Sequence, residues 1–188
     1  MIDSEIKKAV EVILSGGIIL YPTDTIWGIG CDATNREAVQ KIYDIKQRDD
    51  SKSMLVLVNG ISMLEAYLET IPLQALNIIK QSDKPTTIIY PGARNLADNL
   101  VAPDGSIGIR ITSDLFCRKL IAITEKPIVS TSANISGEQS PAAFHKIKTP
   151  IREQIDYVVN WRQDETAPSA PSVVIKLEDD GTITTLRS

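Results

Sequence analysis

The chain has little of what metal or acid–base chemistry usually draws on. Its 188 residues include two cysteines, Cys31 and Cys117, and one histidine, His145. A structural zinc site wants four clustered Cys and His ligands, so none is expected, and both cysteines read as small packing residues. A Ser-His-Asp mechanism could use only His145, which sits in the surface-helix pattern AFHKIK. Aromatics are 5% of the chain and the formal net charge is −4, with a pI of about 5.1. A protein that relies on nucleic-acid backbone contacts usually carries a basic excess, so RNA or tRNA binding is the weaker rival reading, and any phosphate chemistry must come from a local cluster. No apolar run approaches the ~18 residues of a membrane helix. The start, MIDSEIKKAV, lacks a basic-then-apolar signal pattern. A cytoplasmic protein with no membrane partner is expected. The GxxxxGK[ST] and GxGxxG phosphate motifs are also missing.

What remains is ordinary for a globular chain: 43% hydrophobic and 23% charged residues. The length suits one domain over 1–188 that buries a core without disulfide or metal staples. Ser4 can cap a helix with apolar Ile6, Ala9, Val10, Ile13 and Leu14, stopped at Gly16-Gly17. GIILYPT reads as a buried strand, and DTIWGIGCDA as a glycine-punctuated loop. Asn35 opens a helix that ends in the charged run KQRDDSKS. Further strands are expected at 54–58, 86–90, 106–111, 127–133 and 157–161, and helices near 62–68, 72–81, 114–124 and from Pro141. SVVIKLE and TITTLR form a closing hairpin about Asp179-Asp180-Gly181. Interleaved strands and helices predict an α/β fold, with a sheet made mixed by that hairpin.

Polar residues gather at strand ends, where open α/β sheets bind ligands. The groups are Tyr21 to Thr25; Lys46, Arg48 and Lys52; Arg110; Ser130 to Gly137; and residues 169–172 with Arg187. Each has a plainer explanation. Lys46 and Arg48 suit a helix C-terminus as solvated cations, and STSANISG could be a loop of self-capping hydroxyls. Arg110 is harder to dismiss. It alternates with Ile109 and Ile111 and so occupies the opposite sheet face. If that face is covered, the guanidinium needs an anion, either Asp24 or a substrate carboxylate. The residues alone lead to an α/β protein with an anion or nucleotide crevice.

The segments YPTDTIWGIGCDATN, KIYDIKQRDDSK, SIGIRI and KPIVSTSANISG, in this order, resemble the YrdC-like family over about residues 8–187. Its characterised members are threonylcarbamoyl-AMP synthases. The resemblance is to the short, single-domain form, and it implies a twisted mixed sheet flanked by helices around a concave cavity. The implied reaction consumes ATP, L-threonine and bicarbonate, with Mg2+ carried by ATP. Its product serves tRNA modification by downstream proteins. Lys46 and Arg48 match the family's KxR pair and Ser132 and Asn134 its SxN pair, the implied catalytic set. Arg48, Lys52, Asn134, Ser140 and Arg187 would face the nucleotide. Thr25, Arg110, Ser132 and Ser172 would face threonine. Four features depart from the family pattern: Leu57 where many relatives place a histidine, PSVV for PSTV, SDKPTT for a PGPxT-like element, and a segment after Arg110 without its proline-rich start. A YciO-type paralogue is the alternative within the family.

Overall fold

Elements along the chain

The computed structural model describes residues 2–49, 53–166, 170–178 and 181–188. Helix α1 (Ile2–Leu14) buries Ile6, Ala9, Val10 and Ile13 on one stripe. It begins before Ser4, which lies inside it rather than capping it. Strand β1 (Ile19–Tyr21) is fully buried and pairs antiparallel with β2 (Gly28–Gly30). The sequence reading places β2 in a loop, because two glycines in three residues suit strands poorly. They are there for close approach: a Cβ on Gly30 would lie 2.5 Å from the Val129 carbonyl oxygen and 2.7 Å from the Tyr21 ring.

Helix α2 (Arg36–Lys46) starts at Asn35, whose side chain accepts from the Ala38 N–H as expected. Then follow β3 (Leu55–Val58), α3 (Ile61–Tyr67), α4 (Leu73–Gln81), β4 (Thr86–Tyr90) and β5 (Ile107–Ile111). Helix α5 (Leu115–Thr124) is capped by Asp114, and β6 (Ile128–Ser132) follows it. No helix starts at Pro141. Ala143 is extended and buried, and Phe144 packs on Trp27 with ring centroids 4.8 Å apart. This packing overrides local propensity and leaves a 3-10 turn at Phe144–Lys146 and the short α6 (Thr149–Arg152). The strand expected at 157–161 shortens to β7 (Tyr157–Val158). The hairpin is β8 (Val173–Leu177) with β9 (Ile183–Arg187); Asp179 and Asp180 of its expected turn lie outside the described residues.

One sheet, two unequally covered faces

The nine strands form one sheet in the order β7-β1-β2-β6-β3-β5-β4-β8-β9. The β1–β7, β3–β5 and β4–β8 pairs are parallel and the others antiparallel. The sheet is therefore mixed throughout, and not through the closing hairpin alone. Val56, Val58, Ile88, Tyr90, Ile107 and Ile109 face a core shared with α2, α3 and α4. On the other face, Ile19, Tyr21, Leu57 and Ile128 pack under α1 and α5, against Phe116, Leu120 and Ile121. That second layer covers only part of its face. Beyond Leu55 the same face of β4, β5 and β8 opens into a cavity.

Candidate functional site

Arginines and hydroxyls in the open half-face

The cavity has a volume of about 330 Å3. Its wall includes Thr25, Arg48, Arg110, Ser132, Ser140, Ser172 and Arg187, so seven of the ten residues to which the resemblance gives a role converge there. No carboxylate among the described residues lines it. Three arginines without a lining carboxylate make a site for anions.

Arg110 sits on β5 with its side chain 2% exposed. Its partner is Asp24: Nη2 donates to Oδ1 at 2.9 Å. The same Nη2 lies 3.3 Å from the Thr25 hydroxyl oxygen. Asp24 Oδ2 accepts from the Thr112 hydroxyl and the Ser113 N–H, both at 3.3 Å. The guanidinium is thus fixed from one side, while its buried Nε has no hydrogen-bond partner among the described residues. Thr25 is held in a tight turn in which its N–H donates to Thr23 Oγ1 at 3.0 Å.

Across the cavity, Arg187 Nε donates to the Ser172 carbonyl at 2.8 Å and Nη2 to the Ser172 hydroxyl at 3.3 Å. The Ser172 and Thr87 hydroxyls lie 2.8 Å apart. Burial, then repulsion from Arg110, lowers the Arg187 pKa from its ordinary value. Burial likewise lowers that of Arg48, whose Nη2 donates to the Ser53 carbonyl at 2.8 Å. Both cations are poised to gain from an incoming anion. Thr87 escapes the sequence reading, although alternation with Ile88 and Tyr90 in TTIIY places it and Ile89 on the cavity face.

Where the structure departs from the expected site

Asn134 is 8% exposed and belongs to an adjoining cavity of about 280 Å3. Lys146 and Lys148 help to line this second cavity, and Ser140 belongs to both. The Asn134 amide nitrogen donates to the Ile135 and Glu138 carbonyls at 2.9 and 2.8 Å, while its buried Oδ1 has no partner among the described residues.

Lys46 is the clear correction. It is 1% exposed, not solvated, and is absent from the cavity wall. Its Nζ donates to the Ser132 and Asn134 carbonyls at 2.5 and 2.6 Å. Burial, with the Arg48 charge as a second cause, lowers its pKa to about 8. Leu57 is fully buried beneath α5 and does not line the cavity either, so its place in the sequence leaves the wall unchanged. Lys52 and Ser169 lie outside the described residues.

Relatives

A fold of this kind occurs in known proteins. The Sua5/YciO/YrdC family model, described as "Telomere recombination", matches residues 11–188. The chain belongs to the Sua5/YciO/YrdC family. A threonylcarbamoyl-AMP synthase of Pseudoalteromonas translucida is 32% identical over 160 residues, covering 84% of this chain and 86% of that protein. The structure of P. abyssi Sua5 complexed with L-threonine superposes with a TM-score of 0.85 at 26% identity over 97% of this chain. This chain spans about half of that longer one, 53%. E. coli YciO gives a TM-score of 0.84 at 26% identity, with 97% of this chain and 88% of that one covered.

Proposed function

We propose that this chain is a threonylcarbamoyl-AMP synthase, acting on L-threonine, bicarbonate and ATP as a single domain over 1–188. The observation that carries this reading is Arg110: a buried guanidinium at the cavity wall, oriented by Asp24, with Nε unpartnered among the described residues. It suits a small carboxylate, which a guanidinium can take with two parallel hydrogen bonds. The carboxylate of threonine belongs there, with Thr25, Ser132 and Ser172 around it. The related synthase and the Sua5 structure with L-threonine support that choice of amino acid.

The nucleotide belongs beside it. Arg48 and Arg187 face its phosphates, and the second cavity, with Asn134, Ser140, Lys146 and Lys148, extends the site. Lys52 is assigned to the nucleotide by resemblance alone. In the reaction the threonine amine and bicarbonate give a carbamate and water. A carbamate oxygen attacks the α-phosphorus in line, and pyrophosphate leaves with the bonding electron pair. The chain's part is to bring three anions together and offset their charge, a task of positioning and electrostatics. Arg110 orients threonine, and Arg48 and Arg187 stabilise charge on the phosphates. Magnesium would enter as a companion of ATP, since this ion is commonly held by phosphates and water. The product would pass to tRNA-modifying proteins.

The test is pyrophosphate release from ATP and bicarbonate, with each amino acid in turn. Release with threonine is expected. Absence of release with every amino acid, while ATP still raises the melting temperature, overturns the reading in favour of a nucleotide-binding paralogue.

A further inference from the structure

Lys46 is buried and lines neither cavity among the described residues, yet it meets the loop that carries two proposed ligand contacts. It is the last residue of α2, and the chain reverses directly after it. Gln47 is left-handed at φ 49°, its N–H bonding the Asp44 carbonyl and the Arg48 N–H bonding the Tyr43 carbonyl. The reversal sends the two cations to different places: Arg48 to the cavity wall, Lys46 into the protein. There the ammonium bridges the Ser132 and Asn134 carbonyls. In return, the Lys46 carbonyl accepts from the Ser136 N–H at 2.8 Å. Three bonds thus staple the end of α2 to residues 132–136, where Ser132 leaves β6 for the first cavity and Asn134 faces the second.

We propose that Lys46 is a positioning residue: its ammonium holds the 132–136 loop so that Ser132 and Asn134 face their ligands together, and it does not contact phosphate itself. The charge suits this task because two carbonyl dipoles converge on one ammonium, and charge-assisted bonds are the stronger kind. The loop's own bonds, Asn134 N–H to the Ser132 carbonyl and the Asn134 amide to Glu138, tie it to itself. Lys46 ties it to α2, the element that also delivers Arg48. The kinetic consequence rests on the synthase reading; the mechanical one does not.

The experiment uses Lys46→Met in the full chain, read by amide exchange without ligand and by steady-state kinetics. Removing the staple is expected to speed exchange over 132–138 at least about tenfold. It should lower kcat at least about tenfold, because misplacing a contact by about 1 Å can cost a hundredfold. The KM values for ATP and threonine should rise together and by less, with the melting temperature nearly unchanged. A purely structural lysine would move the melting temperature and leave kcat per folded molecule alone, which overturns the proposal. So does unchanged loop exchange with a rise confined to the KM for ATP, which places the ammonium on phosphate. If the wild type releases no pyrophosphate, the function reading fails and loop exchange alone decides the staple. Should Lys46→Met not fold, Lys46→Gln serves the same measurements.

Discussion

The same face of the sheet is built in two ways. Under α1 and α5 it presents Tyr21, Leu57 and Ile128, sealed by Phe116 and Leu120. On the adjoining β5 and β4, and at the far end of β6, it presents Thr87, Gly108, Arg110 and Ser132 and stays open. Both halves follow the two-residue alternation of strands; only the side chains on the outward positions differ. One half excludes water to stabilise the fold. The other leaves out its covering helix and keeps three arginines on the wall of an open cavity, where an anionic ligand can meet them. Stability and binding are thus separable by substitution within one face.

The sharpest cut is Arg110→Ala. It removes the proposed carboxylate contact and strands Asp24, whose side chain is 8% exposed. Breaking a buried pair in this way costs about 3–5 kcal/mol; denaturant titration should show that loss, and threonine-dependent pyrophosphate release should fall to background. Phe116→Ala cuts the sealed half instead. It should cost a similar ~3–5 kcal/mol while changing the KM values of the folded enzyme far less than Arg110→Ala does, since Phe116 does not line the cavity.

Lys46 supplies a pH signature. Its folded pKa of about 8 lies below the unfolded value of 10.5. The unfolded chain therefore binds more protons between those values, and stability gains on going up through that window. Stability measured against pH should show this rise in the wild type and lose it in Lys46→Met. The smallest effect is expected from Arg187→Gln at the exposed rim: about a tenfold higher KM for ATP, or ~1.4 kcal/mol, with little change in melting temperature.

The sequence discloses the parts of this design that obey a period. Asn35 as a cap, TTIIY as a strand, and Arg110 opposite its isoleucine neighbours are all legible, because each rests on local spacing; Asp24, 86 residues away, is one of two anions the sequence leaves open for Arg110. Lys46 was legible too, in a pattern that its charge disguises. It lies four residues after Ile42 on the buried stripe of α2, yet a lysine at a helix end reads as a solvated cation. Strand β2 and the segment after Pro141 are not legible, because Val129 against Gly30 and Phe144 on Trp27 are contacts between distant parts of the chain. The site's membership was carried by the family resemblance; its division into two adjoining cavities lies in tertiary placement alone.

The central claim is that the open half-face holds an amino-acid carboxylate at Arg110. A crystal structure of the chain with L-threonine tests it directly. The account predicts the carboxylate within hydrogen-bonding distance of the Arg110 guanidinium, beside Thr25, with the Asp24 pair retained. Threonine bound elsewhere, or a cavity still without it at saturating concentration, would contradict it.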